Sequence, residues 1–550
     1  MTAVEKKKAM ESLLFLTEKR DGRIKGRLVY NGKPTRDWLS KEEAASPTAS
    51  LEGIFLTAII DAKEQRDVMS ADIPNAFIQA DMPETTEGDE RVIMKITGLL
   101  VDLMVEIDPG RYSEFVVFEK GVKTLYVQVL KALYGMLIAA LLWYQQFKAD
   151  LEQIGFKFNN YDPCIANRKA DGKTHTIKFH VDDLKSSHVD PKINDRFLIW
   201  LNQKYGKHGE VKATRGRVHD YLGMTFEYSD DGVKVDMRKY IKGMIDDFPV
   251  DLGTATAPTP ATDDLFAIND AKALEKTKRE HLHTFTAKGL FACKRARPDI
   301  HMPTAFLCTR VQTPTEDDWK KLMRLMKYLN GSKDEVLFLS ADDLHVVKWY
   351  VDASFAVHPD FKSHTGGAMT FGTGVPISIS RKQKLNTRSS TEAELVAVDD
   401  MSNLIIWTKL FLEEQGYRIS RNVVHQDNKS AILLETNGKR SSSKRTRAIN
   451  IRYFFIADQV AKGNVEIKYC PTNLMIGDFF TKPLQGKKFE FFRDLILGKR
   501  SVSMLETIDR SVLTNGDSYG EDSTDNEQTA CAAADNNNKT TCSVLLVNRL

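Results

Sequence analysis

A short alternating segment in the first half of the chain ends in two adjacent carboxylates. The stretch TIKFHV (176–181) places apolar and polar side chains in turn, which is the period of a half-buried strand. Asp182 and Asp183 follow it directly. Two neighbouring charges at the end of such a strand are costly to desolvate without a partner. The pattern therefore makes this pair a candidate for a binding or catalytic task.

Hydrophobic periodicity predicts further elements along the chain. EYSDDGVKVDM (227–237) is typical of a β-hairpin with Asp-Gly at the turn. VDLGTATAPTPATDD (250–264) is rich in Pro, Thr and Ala and predicts a loop or linker. EDDWKKLMRLMKYLN (316–330) predicts an amphipathic helix closed by Asn330-Gly331. HVVKWYVDAS (345–354) starts a new strand, after which strand and helix patterns alternate to about residue 495.

Composition narrows the class of protein. The 550 residues are 42% hydrophobic and 28% charged, which is typical of a globular chain with two to four domains. A net charge of +3 creates no global basic field, so any nucleic-acid contact depends on local patches. The six cysteines include no C-x-x-C, which argues against a zinc ribbon and fits a reducing compartment. No apolar run reaches the length of about 18 residues that a membrane span needs.

A third carboxylate occurs upstream in a similar setting. Asp72 follows a short apolar segment in RDVMSADIPNAFIQADM (66–82). Nucleotidyl transfer needs carboxylates from separate strands to hold two Mg²⁺ ions, and Asp72 with Asp182 and Asp183 suits that task. On spacing alone, a simpler alternative stays open, in which Asp72 caps a helix and the later pair forms a turn.

Four acidic residues recur in the C-terminal half, each near the end or start of a predicted element. They are Asp352, Glu394, Asp427 and Asp478. Carboxylates delivered in this order could hold two Mg²⁺ about 4 Å apart, as RNA cleavage requires. Simpler alternatives also stay open: Glu394 could merely cap a helix, Asp427 could start an Asx turn, and Asp478 could be solvated.

The surrounding residues carry a resemblance to a known family. Residues 129–168 contain LYG, WY, GF and DPC in the order found in copia-type LTR retrotransposon reverse transcriptases. The pair 182–183 falls where that family has Tyr-Val-Asp-Asp, and DIPNAF (72–77) falls where it has Asp-Val-Lys-Thr-Ala-Phe. RIKGRLVYNG (23–32) resembles its fingers segment, and HDYLGMTFEYSDDG (219–232) resembles its primer grip.

The C-terminal half resembles the RNase H domain of the same family. The matching segments are WYVDASFAVHPDFKSHTGG (349–367), SSTEAEL (389–395), QDNKSAILL (426–434) and DFFTKPLQG (478–486). Within SSTEAEL, Glu394 fits the family's glutamate better than Glu392, because it directly precedes the apolar helix face. The resemblance covers roughly residues 15–497, starting late in the fingers. It identifies the chain as the C-terminal part of a copia-type Pol polyprotein.

This resemblance implies a fold and a division into domains. The expected fold class is α/β and α+β multidomain: a right-hand polymerase with fingers, palm and thumb, followed by an RNase H-like mixed sheet with flanking helices. Residues 1–250 would be fingers and palm, and 251–340 thumb and connection. Residues 341–497 would be the RNase H-like domain. The tail 498–550 is rich in Asn, Asp, Ser, Thr and Ala and is expected to be disordered.

The resemblance also implies roles for individual residues. The implied Mg²⁺ ligands, two ions per active site, are Asp72, Asp182, Asp183, Asp352, Glu394, Asp427 and Asp478. Phe77 would be the steric gate against a ribose 2′-OH, and Lys25 or Arg27 would reach the incoming triphosphate. Alternatively, Phe77 is plain core packing and the two cations form a solvated strand edge. The implied primer grip is Tyr221, Leu222, Gly223 and Met224.

A basic cluster lies between two of the proposed ligands. It consists of Lys439, Arg440, Lys444, Arg445 and Arg447. Either these side chains contact the phosphates of an RNA–DNA hybrid, or they form a solvated basic loop.

Five positions depart from the family pattern. Ile138 replaces a glutamine that would contact the nucleotide, Leu137 and Leu141 replace basic residues, His180 replaces a tyrosine, and Ala448 replaces a histidine. Ile138 and Ala448 favour a second interpretation, a decayed or repurposed remnant that binds nucleic acid without polymerising. Retention of all seven acidic residues favours an enzyme.

The expected function is therefore that of a retrotransposon RNA-directed DNA polymerase with RNase H activity. Its partners would be an RNA template, a DNA primer, deoxynucleoside triphosphates and the RNA–DNA hybrid, and no membrane. The expected location is a cytoplasmic retrotransposon particle, with access to the nucleus left open and without secretion.

Overall fold

The computed structural model describes most of the 550 residues of the chain. The described residues are 1–18, 22, 24–37, 39–84, 91–438 and 450–505. Met1–Ser501 forms one compact unit, and Val502 begins a second. Of the tail predicted to be disordered (498–550), residues 506–550 lie outside the described residues, whereas residues 498–501 belong to the first unit, where Ser501 forms a β-bridge with Thr373. Within the described part, no helix is both long and apolar enough to cross a membrane.

Two sheets, three strands of a third sheet and several helices form the N-terminal region. The strands are β1 (Met10–Glu18), β2 (Ile24–Tyr30), β3 (Asp67–Asp72), β4 (Ile93–Thr97), β5 (Val117–Glu119), β6 (Val122–Gln128), β7 (Lys157–Asn159), β8 (Asp162–Ala170), β9 (Lys173–His180), β10 (Asp183–His188), β11 (Lys212–Arg215), β12 (Val218–Tyr221), β13 (Met224–Tyr228) and β14 (Val233–Asp236). The helices are α1 (Ala3–Lys8), α2 (Lys41–Ala44), α3 (Leu51–Lys63), α4 (Ala76–Gln79), α5 (Leu99–Ile107), α6 (Pro109–Tyr112), α7 (Ala139–Gln153), α8 (Pro191–Tyr205) and α9 (Arg238–Asp246). The first sheet has the order β2-β1-β4-β6-β5, and the second has the order β11-β3-β10-β9-β8-β7.

The strand that precedes the Asp pair is more deeply buried than its sequence predicts. Strand β9 covers the alternating stretch, but Lys178 in its centre is only 2% exposed. Its ammonium group donates to the Ile54 carbonyl and the Thr57 hydroxyl of α3 at 3.1 and 2.9 Å. The expectation of a half-buried strand was therefore wrong, because α3 covers the face on which the polar residues lie.

The middle of the chain is helical. Residues 250–264 carry neither helix nor strand, as predicted. They lead into α10 (Lys276–Cys293), α11 (His301–Cys308) and α12 (Glu316–Gly331). Helix α12 confirms the predicted amphipathic helix, since Trp319 and Leu322 are among its buried residues.

A five-stranded sheet is shared between the N-terminal and C-terminal regions. The predicted hairpin is confirmed, because β13 pairs with β14 in antiparallel register. Strand β14 then pairs with β15 (Leu337–Ala341), which in turn pairs with β18 (Gly372–Thr373). The sheet order is β12-β13-β14-β15-β18, so backbone hydrogen bonds join the two regions directly.

The C-terminal region contains a mixed sheet with flanking helices, as predicted. Its further strands are β16 (Val346–Ser354), β17 (His364–Thr370), β19 (Ile377–Lys382), β20 (Arg421–Gln426) and β21 (Glu466–Tyr469). Its helices are α13 (Ser390–Glu414), α14 (Lys429–Asn437), α15 (Asn450–Ala461) and α16 (Gly486–Ile496). The order is β19-β17-β16-β20-β21, with β16, β20 and β21 parallel and the remaining pairs antiparallel. The mixed α/β character is thus confirmed, while the division into fingers, palm and thumb stays a prediction.

Candidate active sites

The first three predicted carboxylates lie at the adjoining ends of two neighbouring strands. Asp72 is the last residue of β3, Asp183 is the first residue of β10, and the two are direct cross-strand partners. Asp182 lies in the turn between β9 and β10, and its carbonyl accepts a hydrogen bond from the Ile73 N–H at 3.3 Å. Asp72 does not cap the next helix, because Asn75 precedes its first residue. The chain thus assembles carboxylates from separate strands.

The turn that carries Asp182 has an unusual backbone. His180 pairs with Asp183, so the loop contains two residues, Val181 and Asp182. Val181 has a φ of 60°, a left-handed conformation that is strained for a β-branched side chain. The indole N–H of the buried Trp143 donates to the Val181 carbonyl at 2.6 Å. Tertiary contacts therefore hold this turn in a conformation that the local sequence disfavours.

Negative charge is crowded at this turn. Partial burial raises the pKa of Asp183, and the charges of Asp182 and Asp72 raise it further, although His180 opposes the shift. A carboxyl group surrounded by like charges is destabilised in its ionised form. The arrangement therefore suits a divalent cation, whose charge would relieve this repulsion.

The predicted nucleotide-contacting residues border the same carboxylates. The ring of the half-buried Phe77 lies edge-on to that of Tyr134, with centroids 4.9 Å apart. Burial raises the pKa of Tyr134, the charges of Asp182 and Asp72 raise it further, and the charge of Arg27 lowers it. Phe77, Tyr134 and Arg27 therefore surround one site.

The segment before α7 fixes the position of strand β2, which carries Arg27. The Tyr30 N–H donates to the Tyr134 carbonyl at 2.8 Å. Gly135 has a φ of 91°, and a Cβ there would collide with the Tyr30 carbonyl, so glycine is required for this contact. The side chain of Lys25 lies outside what the structure describes, so its role stays a prediction.

Burial divides the predicted primer grip into two buried and two more accessible residues. Tyr221 and Met224 are buried, whereas Leu222 and Gly223 form the turn between β12 and β13 and are more accessible. Of these four, the turn residues are the better placed to meet a ligand. The three departures around α7, namely Leu137, Ile138 and Leu141, are all half-buried.

Three carboxylates of the second set form a compact cluster. One oxygen from each of Asp352, Glu394 and Asp427 lies within 4.8 Å of the other two. Asp352 and Glu394 are buried, at 1% and 5% exposure. The described residues contain no second group of this kind. Oxygen ligands at this spacing fit a Mg²⁺ ion.

The local structure explains how Glu394 and Asp427 reach the cluster. Ser389 caps α13 and Glu392 is its third residue, so the alternative that Glu394 is only a capping residue is wrong. The buried Gln426 donates to Glu394 at 3.4 Å and accepts from the Asp427 N–H at 2.9 Å. Asn428 caps α14, which leaves the Asp427 carboxylate to accept from the Thr472 hydroxyl at 2.8 Å.

Asp478 lies beside the cluster but is held by two lysines. It is 1% exposed, so the alternative of a solvated residue is also wrong. Lys482 Nζ lies 2.6 Å from one of its oxygens and Lys488 Nζ lies 3.0 Å from the other. Lys482 Nζ is also 3.7 Å from Asp352 Oδ2, and the Thr481 hydroxyl donates to the same Asp352 oxygen.

Burial and like charge perturb the acids of this second site. Burial raises the pKa of Asp352 to about 6; Lys482 opposes the shift, whereas Asp478 and Asp427 add to it. Burial also raises the pKa of Glu394 well above its usual range, as do the charges of Asp352 and Asp427. Such a cluster favours the binding of a compensating cation.

Some predicted residues could not be compared with the structure, and others were missed. The basic cluster, Lys439, Arg440, Lys444, Arg445 and Arg447, lies outside the described residues, as does Ala448. The sequence analysis missed Gln426, Thr481 and Lys482. Each lies within a quoted motif, QDNKSAILL (426–434) or DFFTKPLQG (478–486), so the available signal was its place beside a proposed ligand.

Comparison with known proteins supports the resemblance. No protein-family model matches the chain. It is 26% identical over 493 residues to the retrovirus-related Pol polyprotein from transposon TNT 1-94 of Nicotiana tabacum, covering 87% of this chain and 35% of that relative. It is 27% identical over 482 residues to the corresponding polyprotein from transposon RE1 of Arabidopsis thaliana, covering 86% and 30%.

These relatives confirm that the chain resembles copia-type Pol polyproteins over nearly all of its length. The chain spans about a third of the length of the curated relatives it matches. A crystal structure of the prototype foamy virus protease–reverse transcriptase matches with 14% identity and a TM-score of 0.24, covering 84% of this chain and 50% of that one. A TM-score this low supports no conclusion about a shared fold.

Proposed function

We propose that this chain copies RNA into DNA and cleaves the RNA strand of the resulting hybrid. The observation that carries the polymerase proposal is the cross-strand pair of Asp72 and Asp183, with Asp182 in the turn between them. The nuclease proposal is supported by the cluster of Asp352, Glu394 and Asp427. The partners of the chain would be an RNA template, a DNA primer, deoxynucleoside triphosphates and the RNA–DNA hybrid. The reaction would take place inside a cytoplasmic retrotransposon particle.

The side chains have separate tasks in this mechanism. Asp72, Asp182 and Asp183 would hold Mg²⁺ at the polymerase site, and Asp352, Glu394 and Asp427 would hold it at the nuclease site. Bound Mg²⁺ supplies Lewis acidity, which activates an attacking oxygen and stabilises charge on the leaving oxygen. At the polymerase site, the Phe77 ring would exclude a 2′-hydroxyl, and Arg27 would attract the triphosphate.

Primer extension on an RNA template with Mg²⁺ and deoxynucleotides tests the polymerase proposal. We expect Asp182→Asn to abolish extension, since it removes one charged ligand. Asp171→Asn is the matched control, because Asp171 lies in the exposed turn at the other end of β9, where it pairs with Arg196. Asp171→Asn should retain extension. Absence of extension by the folded unsubstituted chain would refute the proposal.

Cleavage of an RNA–DNA hybrid tests the nuclease proposal independently. Glu394→Gln should abolish Mg²⁺-dependent cleavage but preserve primer extension. Glu413→Gln, on the same helix and paired at 2.7 Å with Lys409, should preserve both activities. An equal loss of cleavage in both variants would indicate that the substitutions impair folding rather than remove a metal ligand.

A second candidate function is a remnant that binds nucleic acid without polymerising. Ile138 favours it, because an apolar side chain there cannot form the hydrogen bond that the family's glutamine would make. This candidate predicts that the folded chain binds hybrid but lacks both activities. Cleavage without extension would instead indicate a nuclease beside an impaired polymerase.

A further inference from the structure

Lys482 lies between two of the carboxylates proposed for the nuclease site. Its ammonium nitrogen is 2.6 Å from Asp478 Oδ1 and 3.7 Å from Asp352 Oδ2. Asp352 also belongs to the compact cluster with Glu394 and Asp427. Asp352 therefore adjoins both a cluster suited to an ion and the positive charge of Lys482.

The two lysines beside Asp478 differ in what they touch. Lys488 contacts the second oxygen of Asp478 at 3.0 Å, and none of its described ion pairs reaches Asp352. Lys482 alone among the described residues bridges Asp478 and Asp352 by ion pairs. The lysines thus offer a natural comparison between a bridging cation and a cation that only neutralises Asp478.

A divalent ion shared by Asp352 and Asp478 would compete with this ammonium group. Two positive charges within a few ångström repel each other strongly where burial limits screening. The side chain of Lys482 is 39% exposed, whereas those of Asp352 and Asp478 are at most 2% exposed. Lys482 therefore has a path towards solvent, while the two carboxylates are fixed.

We propose that Lys482 occupies the space between Asp352 and Asp478 in the nucleic-acid-free protein, and so limits the nuclease site to one divalent ion. The arriving hybrid carries phosphates that attract the ammonium group. Lys482 then moves from the carboxylates to a phosphate, and the space becomes available to a second ion. Lys482 is thus a positioning residue that couples ion loading to substrate binding. This inference rests on the proposed nuclease function.

Ion counting in the absence of nucleic acid tests the inference. The full-length protein with Asp182→Asn, which weakens the other proposed ion site, is titrated with Mn²⁺, and bound ions are counted by electron paramagnetic resonance. This protein should bind one ion at the nuclease site, and Glu394→Gln should abolish that binding. Adding Lys482→Met should allow a second ion, or raise Mn²⁺ affinity at least tenfold. Lys482→Gln, measured in parallel, should do the same, so the result does not depend on one variant folding.

Charge-retaining and non-bridging variants serve as controls. Lys482→Arg should keep the single-ion behaviour, and Lys488→Met should leave the ion count unchanged. If Lys488→Met increased the ion count or the Mn²⁺ affinity as much as Lys482→Met does, the inference would be overturned, because the effect would then be one of general charge. An unchanged count in both neutral Lys482 variants, or two ions already bound with Lys482 intact, would also overturn it while leaving the nuclease proposal standing. No Glu394-dependent ion in any variant would overturn both.

Discussion

At the scale of single residues, one aspartate balances the buried cations next to the polymerase site. Asp61 lies 2.8 Å from Lys185 Nζ and 3.8 Å from Arg66 Nη1, and all three side chains are at most 3% exposed. Burial opposes ionisation of Asp61, but the charges of Lys185 and Arg66 outweigh it and lower the pKa of Asp61. Lys178 is the cross-strand partner of Lys185; burial and the charge of Lys185 lower its pKa well below the usual range.

These two buried groups predict opposite effects of substitution. Asp61→Asn leaves Lys185 without its counter-charge, so we expect the free energy of unfolding to fall by about 3–5 kcal/mol. Lys178→Met removes a buried amine whose charged form is disfavoured by burial and by Lys185, and at similar volume it should leave that free energy unchanged or increase it. Chemical denaturation of both variants provides the measurement. A large loss in Lys178→Met would contradict the argument, since it would mean that Lys178 is a needed counter-charge.

Sequence motifs located the carboxylates of the two candidate sites better than they predicted this network. Asp182 and Glu394 stand inside short, recognisable segments, so spacing and resemblance identified them. Alternation predicts only a half-buried strand for the segment that contains Lys178, because the partner Thr57 is 121 residues away in sequence. Alternation in one strand does not reveal which faces a distant helix will cover.

At the scale of elements, glycines allow the segment carrying Asp478 to approach the mixed sheet. That segment is the short 3-10 helix Ile476–Phe480. A Cβ on Gly477 would lie 2.8 Å from the Asp352 Cβ, and a Cβ on Gly366 would lie 2.9 Å from the Phe480 carbonyl carbon. Side chains larger than hydrogen would therefore separate Asp478 from Asp352.

Substitution of Gly477 should consequently disturb the nuclease site. Gly477→Ala is expected to lower the free energy of unfolding by about 1–3 kcal/mol, through overpacking, and to reduce hybrid cleavage more than primer extension. Gly243 in α9 has open space around its Cα, so Gly243→Ala is the matched control and should stabilise by about 0.5–1 kcal/mol. Cleavage rates and denaturation midpoints of the two variants measure these effects on activity and stability. Full cleavage by Gly477→Ala would show that the close approach is dispensable.

At the scale of the whole molecule, the two candidate sites share one structural unit. The largest apolar cluster includes Ile54 of α3, Val235 of β14, Leu337 of β15, Trp349 of β16 and Ile405 of α13. Side-chain hydrogen bonds cross the same boundary, including that from the Trp407 indole to the Tyr161 carbonyl at 2.8 Å. The motifs did not predict this shared core, because each motif was recognised within its own segment of the sequence.

A shared core predicts that the two proposed activities are lost together on heating. Leu337 is fully buried and pairs with Val235 across the junction of β14 and β15. Leu337→Ala should lower the free energy of unfolding by about 2–5 kcal/mol. It should also lower the inactivation temperatures of primer extension and hybrid cleavage equally. Leu290→Ala, at a position 38% exposed, should change neither inactivation temperature. Separate inactivation temperatures for the two activities would show that the regions unfold independently despite their common sheet.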